Sequence, residues 1–316
     1  MSVFTTVSPE QLEVWLHQYP LGALRELKGI ASGITNTNYF VTTDTGRYVL
    51  TLFEKNSADE LPYFLDLMAH LAEHDIPCPH PIATNTGSYL GELCGKPAAL
   101  VSCLRGGSLE TPDAVHCAEM GRVLAHMHLA GQNFSARVEN PRGPHWWNTT
   151  AATVMPFLDT DQRALLEHEL AYQASFRHSE LPRGVIHADM FRDNVLFDGE
   201  QLTGLIDFYY ACNDVLAYDL AITVNDWCVN ADGTLDEARL KAMLHAYHSV
   251  RPLTAAEQQA WPALLRAAAL RFWLSRLYDK HHPQEGELTH AKDPEHFRRV
   301  LSLRIKDNKA LQANWA

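Results

Sequence analysis

The spacing of hydrophobic positions changes about a third of the way along the chain. Before residue 104 the apolar residues come in short β-branched and aromatic runs. Tyr39-Phe40-Val41-Thr42-Thr43 and Arg47-Tyr48-Val49-Leu50-Thr51-Leu52-Phe53 flank an Asp44-Thr45-Gly46 turn signal, which predicts a hairpin. A helix follows, because Leu61, Phe64, Leu65, Met68 and Leu71 recur at three and four. Asp59 is the expected cap, and Pro77, Pro79 and Pro81 mark the exit. A second hairpin is expected from 89–93, a Gly95-Lys96-Pro97 turn and 98–104.

Arg105-Gly106-Gly107 interrupts this pattern, and the helical period then dominates. It predicts helices over 109–130, 160–178, 235–249, 254–281 and 293–306. One β-island breaks the series: Gly184-Val185-Ile186, then Val195-Leu196-Phe197, an Asp198-Gly199-Glu200 turn and 202–206. The expected class is α+β with two lobes. Residues 1–104 form a small β-rich lobe and residues 105–316 a larger, mainly helical one.

Composition narrows the function classes. With 316 residues, 46% of them hydrophobic and 20% charged, the chain can bury real cores and is not a disordered polymer. A formal charge of −12 argues against a general nucleic-acid binder, which needs a cationic field. The charge is uneven: net −6 over 1–104, −10 over 105–263 and +4 over 264–316. The basic end reads as alternating charges on the outside of C-terminal helices. The N-terminal stretch carries Glu10 and Glu13 and lacks a basic-then-apolar leader, and no apolar run reaches membrane-spanning length. Six scattered cysteines without a Cys-x-x-Cys pair suit reduced, mostly buried thiols, so a cytoplasmic location is expected.

Chemistry concentrates on the β-island. His187-Ala188-Asp189-Met190-Phe191-Arg192-Asp193-Asn194 leads into its first strand, and Gly204-Leu205-Ile206-Asp207-Phe208 closes its last. Asp189 is placed to accept a hydroxyl proton. Asn194 and Asp207 offer hard oxygens of the kind Mg²⁺ prefers when it bridges phosphates. A hairpin between them would bring both ligands to one end. Asp and Asn also favour loop caps and turns. The full combination of residue types and spacing is far more specific than a lone Asp-x-x-x-x-Asn.

These motifs resemble the aminoglycoside phosphotransferase and choline kinase superfamily, a branch of the protein-kinase-like fold, over nearly the whole chain. Together with Tyr209-Tyr210 and the segment Asp219-Leu220-Ala221-Ile222-Thr223-Val224-Asn225-Asp226-Trp227-Cys228, they are similar to its homoserine kinase family. That family uses ATP to phosphorylate the side-chain hydroxyl of L-homoserine, on the route to threonine. The resemblance implies a bilobal protein-kinase-like fold, with ATP and Mg²⁺ as cofactors. It makes Asp189 the catalytic base, Asn194 and Asp207 the metal ligands, and His187 and Asp219 supports of the catalytic loop. Transfer would be direct and in line, without a phosphoenzyme.

Gly29, Ser32, Gly33, Asn36 and Asn38 resemble the superfamily's phosphate-covering loop, where glycine lets backbone amides approach phosphate. Without a Gly-Lys-Ser/Thr ending it is not a Walker A loop. Kinase-like folds usually carry Lys or Arg on the third strand, and this chain has Thr51 there. Lys28, Lys55 and Arg192 are candidate replacements, and Glu60 the candidate for the helix carboxylate that would pair with the missing lysine. Adenine is expected against the backbone around Ser102 and Leu104.

For an amino-acid acceptor both charges need partners. Asp226 is the candidate for the ammonium and Arg271 for the carboxylate through a bidentate fork. Tyr210 and Trp227 are candidate pocket walls. His126 and His128 lie two apart on a helix and read as packing and hydrogen-bonding residues, not a metal pair. His145-Trp146-Trp147-Asn148 is expected in a loop after Pro144, as a cleft rim or a buried anchor. Competing acceptors on the same scaffold are choline, methylthioribose, hydroxylysine or an aminoglycoside. A catalytically inactive kinase-like binding protein is the alternative from another class.

Overall fold

Burial alternates without a break through Thr37–Thr43, each odd position buried and each even one half-exposed. This strand organises the first of two units in the computed structural model, which describes residues 4–30, 35–176, 180–283 and 292–307. The first unit comprises 1–106 with 203–206, and the second 107–202 with 207–316.

In the first unit, helix α1 (Pro9–Leu16) starts at Ser8, whose side chain and that of Gln11 exchange bonds with each other's backbone in a capping box. Strands β1 (Leu24–Gly29), β2 (Thr37–Thr43) and β3 (Arg47–Leu52) follow, then helix α2 (Leu61–Glu73), β4 (Gly91–Leu93) and β5 (Lys96–Ser102). They form one antiparallel sheet in the order β1-β2-β3-β5-β4. Tyr39, Val41, Leu50, Leu52 and Leu100 join Leu12, Trp15 and Leu16 of α1 in the core. The alternation sends the other set to the opposite face, where Asn38, Thr51 and Ala99 form one row and Phe40, Val49 and Val101 the next.

Two local expectations change. Asp59 does not cap α2: Glu60 takes that place, and its carboxylate turns back to the Ser57 N–H (3.0 Å) and hydroxyl (3.1 Å). The second hairpin turns on Cys94 and Gly95, both left-handed at φ 53° and 72°, earlier than the Gly95-Lys96-Pro97 signal implied. Two positive φ values in a two-residue loop match the strand twist, whereas Pro97 already belongs to β5.

The second unit holds α3 (Ala114–Ala130), α4 (Pro144–Val154), α5 (Thr160–Ser175), β6 (Arg183–Ile186), β7 (Val195–Asp198), β8 (Gln201–Leu205), β9 (Cys212–Val215), α6 (Leu216–Trp227), α7 (Glu237–Val250), α8 (Ala255–His281) and α9 (Pro294–Lys306). β6 pairs with β9, and β7 with β8 around Gly199. α3 begins later than residue 109 because Asp113 caps the N–H groups of Val115 and His116. The expected loop at His145 is helix α4, started by Pro144 in the first turn, where a missing N–H costs nothing.

Every residue of α6 from Leu216 to Asn225 is buried, so this helix is an axis with packing on all sides. α8 covers it, and the basic C-terminal segment departs from expectation here. Arg266, Arg271 and Arg304 are buried, not on an outer face. Each has a neutralising or hydrogen-bonding partner: Arg266 grips Glu169 at 2.6 Å, Arg304 donates to Asn225 at 3.0 Å, and Arg271 pairs with Asp189 at 3.6 Å. All six cysteines are free thiols. Among the described residues no helix is long and apolar enough to cross a membrane.

α3 and α7 approach closely at Gly121, where an added Cβ would lie 2.3 Å from the Met243 carbonyl oxygen. Gly121→Ala is therefore expected to destabilise the chain by roughly 1–3 kcal/mol through overpacking against backbone. A lowered thermal midpoint checks this; an unchanged midpoint would contradict the close approach.

Candidate active site

The loop at 187–194 leaves strand β6 and is held from below by the first turn of α6. Asp219, fully buried, accepts the N–H of His187 at its Oδ2 and that of Ala188 at its Oδ1, both at 2.8 Å. Ala188 sits at φ 63°, a left-handed conformation that an alanine rarely adopts, and the two bonds hold it there. Burial alone would raise the Asp219 carboxyl. The hydrogen bond from His128 and that from the His187 N–H more than reverse this, and its pKa lies below the ordinary value. His187 is buried with its ring against Phe208, and its Nδ1 accepts the Asp189 N–H at 3.3 Å.

The rest of the loop is tied down residue by residue. Trp227 donates its indole N–H to the Met190 carbonyl at 3.1 Å. Phe191 packs at a tilt against Phe272, with ring centroids 4.3 Å apart. Asp226 holds the Arg192 backbone N–H (2.9 Å), Nε (3.1 Å) and Nη2 (3.3 Å). Lys292 pairs with Asp193 at 2.7 Å. Asn194 donates through Nδ2 to the Asp189 carbonyl (2.8 Å) and to its Oδ2 (3.4 Å), which leaves the Asn194 Oδ1 for another partner.

Asp207 follows β8 with φ 64°, again left-handed. Its carboxyl is pushed up to about 7, by surrounding protein first and then by the charges of Asp189 and Asp193. The residue is open to water, so the crowding of three carboxylates is the firmer cause. Among the described residues no cluster of three His, Cys, Asp or Glu side chains could hold a metal alone. Asn194 Oδ1 and Asp207 are hard oxygens that could hold a divalent cation, and a cation would relieve the crowding.

Arg271 closes the site. It is 4% exposed, and its Nη1 lies 3.6 Å from Asp189 Oδ1. Its guanidinium sits over Phe272 at 3.7 Å and 5.5 Å from the Tyr210 ring, and it makes no hydrogen bond among the described residues. Arg142 approaches the same Tyr210 ring and packs on Trp146.

Two acceptor-site candidates make other contacts within the second unit. Asp226 pairs with Arg192, so its oxygens hold the loop. Trp227 is fully buried beneath Met190 and walls no open pocket. Arg192, offered as a substitute for the strand cation, is fastened by Asp226 and by the Glu110 carbonyl.

In the first unit, Asn36, Asn38 and Thr51 come together. Thr51 donates to Asn38 Oδ1 at 2.8 Å, Asn38 donates to the Asn36 carbonyl, and Asn36 Oδ1 takes the Glu54 N–H. Gly29 ends β1, pairing with Tyr39. Ser32 and Gly33 lie outside the described residues. Ser102 exchanges bonds with the His80 backbone. Leu104 lines a cavity of about 560 Å³ with Phe40, Arg47, Cys103, Arg105 and Gly106. Glu60 accepts from the Ser57 N–H and hydroxyl.

Sequence reasoning missed the role of His128. The i, i+2 spacing of His126 and His128 correctly separated them, but nothing local pointed to Asp219, 91 positions away.

Residues 26–253 match the model of the phosphotransferase enzyme family. The chain is 62% identical over 315 residues to a homoserine kinase of Methylobacillus flagellatus, covering 100% of this chain and 99% of that one. It is 59% identical to a homoserine kinase of Methylobacillus glycogenes, with the same coverage. Among solved structures, the amicoumacin kinase hAmiN in complex with AMP-PNP, Ca²⁺ and Ami aligns with a TM-score of 0.70. At 13% identity over 98% of this chain and 94% of that one, the likeness is one of fold, and that fold is protein-kinase-like.

The raised Asp207 carboxyl gives a signed pH dependence. An acid whose folded pKa exceeds its unfolded value disfavours folding once ionised, so stability falls as pH rises from the ordinary carboxylate range toward about 7. In EDTA, Asp207→Asn should melt above the parent chain at about pH 8, and the gap should narrow toward pH 5. An equal or lower midpoint at the higher pH would show that the carboxylates do not strain the site.

Proposed function

Because the chain belongs to the phosphotransferase enzyme family, we propose that it transfers the γ-phosphate of ATP to the side-chain hydroxyl of L-homoserine. The product would be O-phospho-L-homoserine, a precursor for threonine synthesis. The full-length likeness to homoserine kinases at 59–62% identity supports the choice of acceptor.

Arg271 is the observation that carries an amino-acid acceptor. A buried guanidinium with no hydrogen bond among the described residues, 3.6 Å from Asp189, offers a planar fork beside the base. A substrate carboxylate fits it bidentately, and each hydrogen bond to a charged group contributes roughly 1.5–3 kcal/mol. Choline has no carboxylate for this fork. Tyr210, beside the same guanidinium, forms one wall of the proposed acceptor site.

In the mechanism, Asp189 orients the acceptor hydroxyl and takes its proton as the new P–O bond forms. Asp219 and His187 keep the loop in the conformation that presents Asp189. Asn194 directs its amide toward Asp189, and its Oδ1 and Asp207 would hold Mg²⁺. A bound Mg²⁺ would supply positive charge to the phosphate oxygens. Gly29, Ser32, Gly33, Asn36 and Asn38 are assigned to the phosphates through backbone and amide donors. The backbone at Ser102 and Leu104 is assigned to adenine. Rate enhancement then comes from positioning and electrostatic stabilisation.

A panel of homoserine, choline, methylthioribose, hydroxylysine and an aminoglycoside, each with Mg·ATP, decides the acceptor by ADP release. Homoserine should be preferred; background turnover with homoserine alongside real turnover of another acceptor would overturn the proposal. Asp189→Ala and Asp207→Ala should each reduce turnover to background while the chain stays folded by circular dichroism. Arg271→Gln should raise the KM for homoserine roughly 10- to 150-fold, the equivalent of one lost charged hydrogen bond. An unchanged KM would remove Arg271 from carboxylate recognition.

A further inference from the structure

A continuous chain of buried polar groups runs away from the 187–194 loop, starting at Asp219. Asp219 Oδ2, which already accepts the His187 N–H, lies 3.1 Å from His128 Nε2. His128 Nδ1 lies 2.7 Å from the Tyr247 hydroxyl. That hydroxyl receives Arg251 Nη1 at 3.1 Å, and Arg251 Nη2 donates to Glu257 at 2.8 Å. The other Glu257 oxygen accepts the Thr254 N–H and hydroxyl in the capping box that starts α8. Asp219, His128, Tyr247 and Glu257 are fully buried, and Arg251 nearly so.

Hydrogen-bond stoichiometry allows one direction through this chain. Asp219 is ionised and only accepts, so His128 Nε2 must carry a proton. Burial holds His128 below its ordinary pKa, so the ring is neutral and Nδ1 bears a lone pair. The Tyr247 hydroxyl has one proton to give, and Nδ1 takes it. The tyrosine oxygen is then free to accept from Arg251, which can only donate. Each group thereby sets the tautomer or rotor of the next, from Glu257 to Asp219. In a buried site a half-satisfied network is costly, so losing one link leaves an orphan beside Asp219.

We propose that His128 and Tyr247 are positioning residues for phosphoryl transfer. Through Asp219 they fix the left-handed turn at Ala188 and therefore the direction of Asp189. This rests on the phosphotransferase reading of the site. It adds a determinant of rate that touches neither substrate. α8 then acts on the loop from two positions: Glu257 in its first turn anchors the chain behind Asp219, and Arg271 lies beside Asp189.

The test uses whichever acceptor the parent chain turns over, so a wrong acceptor assignment does not decide it. Tyr247→Phe keeps the ring and removes the single donor to Nδ1. It should lower kcat roughly tenfold, with KM for ATP and acceptor within about twofold of the parent. His128→Ala should lower kcat further, and His128→Gln, which retains an N–H for Asp219, should recover part of the loss. Melting temperatures are measured alongside. If Tyr247→Phe and His128→Gln are folded and keep the parental kcat, whatever their melting temperatures, the residues are structural filler and the proposal is wrong. If His128→Ala does not fold, the Tyr247→Phe result decides.

Discussion

A single buried carboxylate organises the site. Asp219 sits in the first turn of α6, a helix packed on all sides, so its position is set by the core of the second unit. From there it takes two backbone N–H groups of the loop and pins Ala188 in a conformation the residue would otherwise avoid. An ionised carboxylate without partners would be too costly at zero exposure. Two amides and an imidazole satisfy it, and in doing so convert the rigidity of the core into loop geometry. Asn194, Trp227 and Asp226 then fasten the loop at three further points.

A second constraint is the concentration of negative charge. Asp189, Asp193 and Asp207 lie close enough to raise the Asp207 carboxyl, in a chain whose formal charge is −12. The ligand proposed for this site is itself a polyanion. Such an arrangement works only if positive charge enters with the ligand or stands nearby, and the chain places little of it in the first unit, where Thr51 occupies the usual cation position. In the second unit, Lys292 offsets Asp193 and Arg271 offsets Asp189, both from the basic C-terminal segment. The net +4 of that segment is therefore partly spent on the loop and the core, not on an outer surface.

Much of the architecture was legible because it depends on local period. The β2–β3 hairpin, the helix at 61–73 and the β7–β8 hairpin after Asn194 all follow from spacing and turn residues. Where local rules competed, they misled. Pro144 reads as a breaker, yet in a first turn it starts α4. The capping signal at Asp59 lost to Glu60, and Pro97 lay inside a strand.

For this protein, residue identity and spacing by themselves determined the α+β class, the change of period after residue 104 and the cluster of Asp189, Asn194 and Asp207. Those features depend on contacts within about twenty residues, which a pattern can encode. The partners of each charge were decided only by tertiary structure. Asp226 and Trp227 turned inward to the loop, Arg271 came to Asp189 from 82 positions away, and His128 met Asp219 and Tyr247 in the core. A charge or a hydrogen bond finds its partner by distance in space, and three helices had to pack around α6 before those distances existed.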